Sequence, residues 1–243
     1  MSPLARKSLA ELIGTALLVA AVIGSGIAAQ RLSPTDVGIQ LFENTAATAA
    51  ALVAIILALG AVSGAHLNPI VTLIDRVLGG LDNREAAAYV GSQIAGGAIG
   101  AVIANLMFGD AAVTFSTHHR ATGAHLLGEV VATFGLVLVV FGVVRSGRAS
   151  AAPFAVAAYI ASAYWFTSST SFANPAVTLA RTLSNTFAGI APSSAPAFIG
   201  AQLVGGALGC ACVIALYPGV SDVAEAVVLP HRGSEPNAEG VIP

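Results

Sequence analysis

Charge is what this sequence has least of. Only 9% of its 243 residues are Asp, Glu, Lys or Arg, against about 25% in soluble domains. Cysteine is scarce too: Cys210 and Cys212 are the two present, two positions apart in an apolar run. That pattern is neither a disulfide framework nor a zinc site, and it reads as two small core residues. A net charge of −2 and a pI near 6.2 offer no basic face, so no nucleic-acid partner is expected. Against these absences stand 56% hydrophobic residues and a mean hydropathy of +0.84. The balance excludes an ordinary soluble enzyme and a disordered linker, and it describes a polytopic membrane protein.

Crossing about 30 Å of hydrocarbon takes about 20 apolar residues in a helix. Charge-free windows occur at 12–30, 44–74, 86–109, 130–144, 149–180 and 182–221. Six spans are therefore predicted, although three windows are too long for one helix. The first run is long for a signal peptide and lacks an obvious small-residue cleavage site. Six spans put both termini on one side. Arg6, Lys7, Arg76, Arg84, Arg145, Arg148 and Arg232 then share that side, with Arg31, Arg120 and Arg181 opposite. Basic residues concentrate on cytoplasmic loops, so both termini are expected to be cytoplasmic. One transmembrane domain is expected over 1–221, and 222–243, mixing Glu, Pro, Gly and Asn, reads as a flexible cytoplasmic tail.

The two halves resemble each other. Glu11-Leu-Ile-Gly-Thr15 opens the first span and Glu129-Val-Val-Ala-Thr133 the fourth. Asn68-Pro-Ile-Val-Thr-Leu73 follows the second span, and Asn174-Pro-Ala-Val-Thr-Leu179 follows the fifth. Tyr89-Val-Gly-Ser-Gln-Ile-Ala-Gly-Gly97 matches Phe198-Ile-Gly-Ala-Gln-Leu-Val-Gly-Gly206. The repeats cover about 8–108 and 125–217. Three spans per repeat is an odd number, so the halves insert with opposite orientation and a solute path runs between them.

The overlong windows follow from this. Each Asn-Pro comes after small and polar residues and before a short apolar run. Pro69 and Pro175 suit a first helical turn, where an N–H has no partner anyway, and Asn68 and Asn174 can cap it. Two half-helices are thus predicted to dip into the membrane and meet tip to tip. Irregular backbone at that depth is tolerated only when buried or lining a cavity. Their dipoles place positive potential at the centre, which repels cations and protons. Asn68 and Asn174 would there donate to a passing neutral oxygen.

Ser63-Gly-Ala-His-Leu-Asn-Pro69, the second Asn-Pro-Ala at 174–176 and the paired glutamates resemble the aquaporin, or major intrinsic protein, family. The resemblance runs to about residue 218. It implies an all-α membrane fold of six transmembrane helices plus two re-entrant half-helices in an inverted 3+3 repeat. It further implies a pore in each subunit, a homotetramer in the lipid bilayer, and neither enzymatic activity nor cofactor nor metal. Glu11 and Glu129, the acids read as lying near span interiors, brace the re-entrant backbone by the same resemblance; a transporter would use them as proton or ion ligands. Ile70 stands where the family has Ala. The pairs Gly60 and Gly64, Gly96 and Gly100, and Gly205 and Gly209 permit close helix crossings. His66 reads as a hydrogen-bonded loop residue, His118, His119 and Arg120 as a solvated loop, and His125 as a helix start.

In this family four positions form a second constriction. Counting from the two asparagines gives Thr48, Ser162, Ser171 and Val177, with Ala163 or Tyr164 as alternatives to Ser162 if the count slips. Val177 replaces the Arg usual in water and glycerol channels. A wide, hydroxyl-lined and uncharged filter is expected, passing water, glycerol-like polyols or metalloid acids such as arsenous acid. Arg181, one turn beyond Val177, is expected in the outer vestibule or snorkelling at the helix end. The run from Thr167 to Arg181, continuing to Pro192, resembles a bacterial subgroup tied to arsenic resistance, which implies the inner membrane. An inverted-repeat secondary transporter and an ordinary water-selective pore are the competing readings. An intramembrane protease built on Ser63 and His66 has no matching oxyanion motif.

Overall fold

The computed structural model describes residues 1–217. The expected tail at 222–243 and Arg232 lie outside the described residues. Eight α-helices follow in order: α1 (Pro3–Leu32), α2 (Val37–Ser63), α3 (Pro69–Leu78), α4 (Asn83–Met107), α5 (Gly123–Arg145), α6 (Ala152–Phe166), α7 (Pro175–Arg181) and α8 (Ala195–Leu216). Single 3-10 turns at Ala149–Ala151 and Pro192–Ser194 lead into α6 and α8. No strand occurs among the described residues.

Among the described residues six helical segments are long and apolar enough to cross a bilayer: α1, α2, α4, α5, and α6 and α8 with their leading turns. At 1.5 Å per residue, α3 and α7 are only about 15 Å and 10 Å long, so each covers at most half the hydrocarbon. The fold is the all-α inverted repeat of six spans and two half-helices. Large apolar side chains such as Leu17, Leu57, Phe154, Trp165 and Leu203 face outward. Inside lie Glu11, Asp75, Gln93, Glu129 and Gln202, all at 0% exposure. Apolar groups outside and polar groups within is the arrangement that a hydrocarbon solvent selects. Asp75 also corrects the expectation that Glu11 and Glu129 are the only interior acids.

Local chemistry sets the helix starts. Asp36 caps α2 through Ile39 N, Thr122 caps α5 through His125 N, and Asp82 with Glu85 forms a reciprocal capping box on α4. Ion pairs form at both ends of the bundle, Lys7 with Glu85 at 3.2 Å and Arg31 with Asp110 at 3.1 Å.

Glycines bring the repeats' outer and inner helices together. A Cβ on Gly96 or Gly100 would collide with the Leu12 or Ala16 carbonyl of α1. Gly205 and Gly209 meet the Val130 and Phe134 carbonyls of α5 in the same way. Gly60 and Gly64 act otherwise. Gly64, at φ 84°, ends α2 in the left-handed region and its N–H donates to Gly60 O at 2.8 Å. That pair is a helix stop.

Candidate functional site: a lined path between the repeats

Four long helices each contribute an apolar stripe to one internal cavity. Leu18 and Val22 come from α1, and Leu136 and Val140 from α5. Thr48, Leu52 and Ile56 come from α2, spaced four apart as one helix face requires. Val156, Ile160 and Tyr164 do the same from α6.

Polar atoms enter from the two re-entrant segments before α3 and α7. Ala65 and Leu67 hold positive φ of 46° and 52°, and the equivalent Ser171 and Ala173 hold 51° and 47°. Non-glycine residues pay about 1–2 kcal/mol each for that region, so the loops need support. It comes from the paired glutamates. Glu11 accepts hydrogen bonds from His66 N at 2.9 Å, Leu67 N at 2.7 Å, Ser63 Oγ at 2.6 Å and Gln93 Nε2 at 2.8 Å. Glu129 accepts from Phe172 N and Ala173 N, both at 2.9 Å, and from Gln202 Nε2 at 2.6 Å. Every contact to either carboxyl comes from a donor, which suits an acceptor-only carboxylate. Gln93 and Gln202 also donate to Thr72 and Thr178, both at 2.9 Å, tying each loop to its own half-helix.

Asn68 caps α3 by accepting from Ile70 N at 2.9 Å, and Asn174 caps α7 by accepting from Ala176 N at 3.0 Å and Val177 N at 3.3 Å. These bonds fix which side of each amide is oxygen. Asn68 Nδ2 then donates across the repeat interface to Ala173 O at 2.8 Å, and Asn174 Nδ2 donates back to Leu67 O at 2.7 Å. Each amide has two N–H groups, so each keeps one beyond that bond, and both residues line the cavity. Ser171 also lines it, and its buried hydroxyl has no hydrogen-bond partner among the described residues.

The remaining predicted positions divide. Thr48 and Val177 line the cavity. Ser162 does not: it is exposed, and its hydroxyl donates to Tyr159 O at 2.8 Å. Two residues later on α6 is about 200° around the helix, so Tyr164 points inward and donates to Thr48 Oγ1 at 3.3 Å. Arg181 is not solvated in a vestibule but 3% exposed, lining the same cavity. Its Nε donates to Ala188 O and its guanidinium lies 3.4 Å from the Phe172 ring centroid. The lining thus contains Tyr164, the alternative to Ser162, together with Phe172 and Arg181, so the cavity next to the expected uncharged filter positions carries one cation. Ile70 does not enter the path. Its side chain packs where a Cβ on Gly206 would stand, so the bulkier residue is absorbed between α3 and α8.

The sequence reading missed a second pair, which the repeat register exposes. The spacing of 106 that takes Asn68 to Asn174 takes His66 to Phe172 and Asp75 to Arg181. His66 lines the cavity, its Nδ1 is 3.2 Å from Thr72 Oγ1, and its Nε2 is 3.7 Å from Asp75 Oδ2. One repeat therefore carries His with Asp where the other carries Phe with Arg. His125 sits in the first turn of α5, and His119 Nδ1 is 3.3 Å from Ser193 Oγ. Among the described residues no cluster of three His, Cys, Asp or Glu could hold a metal ion.

The family model described as "Major intrinsic protein" matches residues 1–167. The chain is 48% identical over 213 residues to aquaglyceroporin AqpS of Rhizobium meliloti (strain 1021), covering 88% of this chain and 89% of that protein. It is 33% identical over 167 residues to a probable aquaporin, AqpM, of Archaeoglobus fulgidus, covering 60% of this chain and 68% of that protein. The X-ray structure of the aquaglyceroporin from Plasmodium falciparum superposes with a TM-score of 0.67 over 90% of this chain and 99% of that one, at 19% identity, a likeness of fold. By sequence match across most of its length and by the architecture it shares, the chain belongs to the major intrinsic protein family.

Proposed function

We propose that this multi-pass membrane protein is a passive channel for small uncharged solutes: water, glycerol-like polyols and neutral metalloid acids such as arsenous acid. One observation carries the reading. Two cross-bonded asparagine amides each keep a second N–H beyond that bond, and both line a cavity whose lining holds no acid. Such a pair offers donors to a hydroxylated solute, while the apolar stripes opposite accept its carbon or metalloid face. The Ser171 hydroxyl adds a further partner. The Rhizobium relative's description as an aquaglyceroporin favours polyols over water alone.

Selectivity is assigned to Thr48, Tyr164, Ser171 and Val177, with Arg181 one turn farther along α7. Val177 leaves room beside Asn174 that an arginine would fill. Glu11 and Glu129 hold the re-entrant loops. Both termini are placed on the cytoplasmic side by the seven-to-three distribution of basic residues, in a bacterial inner membrane. The outward apolar faces seat four copies as a homotetramer, each with its own path.

Stopped-flow measurements on proteoliposomes test this. The wild type is expected to pass glycerol and arsenous acid above the rate of empty vesicles. Val177→Arg is expected to lower both fluxes by about tenfold, a barrier change of about 1.4 kcal/mol, with a smaller effect on water. Equal water, glycerol and arsenous acid fluxes in variant and wild type would sink the filter assignment.

The buried His66–Asp75 pair favours a second reading, a proton-coupled carrier, because it is an ionisable pair beside the path.

A further inference from the structure

Arg181 is the one Lys, Arg, Asp or Glu among the described residues lining the cavity. It is nearly fully buried, and no carboxylate stands within ion-pair distance of it among the described residues. Its Nε is tied to Ala188 O and its face to the Phe172 ring. Those two contacts fix the plane of the guanidinium and leave both Nη groups without a hydrogen bond to any described residue.

The surroundings do not neutralise it. Arg120 lies 5.6 Å from the same Phe172 ring, anchored to Gly189 O at 2.8 Å and Phe187 O at 3.0 Å. Two cations therefore share one aromatic ring. Glu129 has its oxygens engaged by Phe172 N, Ala173 N and Gln202. A desolvated cation without a counter-ion is unfavourable unless something else supplies negative charge. A guanidinium held in one plane with both Nη groups open matches a planar oxyanion bidentately.

We propose that Arg181 forms a binding site for a small monovalent planar oxyanion, of the nitrate or formate class, within the path, and that its occupant blocks passage of neutral solute. The blocking half rests on the channel reading above; the binding half does not. Val177 makes the site possible by leaving the turn before it free of a competing side chain. An arginine that only clips Ala188 and Phe172 together predicts no anion effect.

Two measurements on the full-length protein decide it. In proteoliposomes at constant osmolarity and ionic strength, nitrate or formate replaces gluconate, which is too bulky for a bidentate seat in this corner. Glycerol flux is expected to fall saturably with nitrate. Arg181→Gln is expected to raise the half-inhibiting concentration at least tenfold. Arg181→Lys, which keeps the charge but loses the fork, is expected to fall between, and it serves as the folded comparator if the glutamine variant is lost. Calorimetric titration of nitrate into the purified protein reads binding without flux. No nitrate binding in the wild type, or equal binding in wild type and Arg181→Gln, overturns the site. Nitrate binding in a wild type that passes no glycerol supports the site and overturns the channel reading instead.

Discussion

A buried carboxylate surrounded only by donors is hard to replace, and Glu129 makes the point at single-residue scale. Its two oxygens receive Phe172 N, Ala173 N and Gln202 Nε2, and so hold Ser171 and Ala173 in the left-handed region. Glutamine in its place keeps one acceptor oxygen but turns an NH2 toward N–H donors. Losing one hydrogen bond to a charged group costs about 1.5–3 kcal/mol, more if the donor stays buried and unpaired. Glu129→Gln is expected to lower the unfolding midpoint by several degrees, at about 2–4 °C per kcal/mol for a chain of this size, and Glu11→Gln to do likewise. Thermal unfolding in detergent checks both; midpoints within a degree of wild type would mean that the loops hold themselves. Both glutamates were legible because acids are rare in this sequence and these two recur at the same place in the repeat. Tyr164 was legible only as an alternative to Ser162. Counting from Asn174 crosses an irregular loop, and a slip of two residues turns a side chain from the cavity to the outside. The spacing of Val156, Ile160 and Tyr164, matching Thr48, Leu52 and Ile56, was the signal that identifies it.

Between elements, the inverted repeat is matched in backbone but not in side chains. The tips of α3 and α7 are alike in capping, in left-handed approach and in their threonine clasps, yet α3 begins Pro-Ile and α7 Pro-Ala. Ile70 is taken up at Gly206 of α8, while Gly97, the equivalent glycine of α4, faces the backbone of Ala176 and the Ala180 methyl. The two half-helices are thus keyed to their partners by different volumes. Gly206→Ala is expected to destabilise by about 1–3 kcal/mol, the usual cost of overpacking. Ile70→Ala opens a cavity at a cost of about 2–5 kcal/mol. The double variant should recover part of the sum, giving a coupling energy of about 0.5–3 kcal/mol in a double-mutant cycle. Strictly additive effects would place Ile70 against something other than Gly206. Sequence alone showed that Ile70 departs from the family pattern, but the direction of its side chain depends on which helix lies behind α3, a contact between residues 136 positions apart. The six spans and two half-helices were readable, because hydropathy and Asn-Pro are local signals. The pairing of Asp75 with Arg181 across the repeat was readable in principle, but a motif search stops at the last matching residue, and these two differ in type.

For the whole molecule, the bonds at the midplane bear on whether it moves. A carrier with inverted repeats works by rocking one repeat against the other around a central site. Here the centre is stitched in both directions, Asn68 Nδ2 to Ala173 O and Asn174 Nδ2 to Leu67 O. Rocking would break two buried hydrogen bonds together and withdraw each asparagine from the partner repeat. The glycine crossings of α1 on α4 and α5 on α8 add backbone-close contact within each half, so each repeat is stiff and the seam between them is bonded. A seam bonded in both directions beside the lined cavity favours diffusion past fixed asparagines over alternating access. The His66–Asp75 pair is the one feature that argues the other way, and the two readings separate in a flux assay. A channel passes glycerol at a rate proportional to its gradient, with a low activation energy and no dependence on an imposed proton gradient. A coupled carrier saturates, has a steep temperature dependence, and accumulates solute when protons flow. Wild-type proteoliposomes are expected to equilibrate glycerol without overshoot at any imposed pH difference, and transient accumulation above the external concentration would establish the carrier; loss of that accumulation in Asp75→Asn would assign its proton to the His66–Asp75 pair.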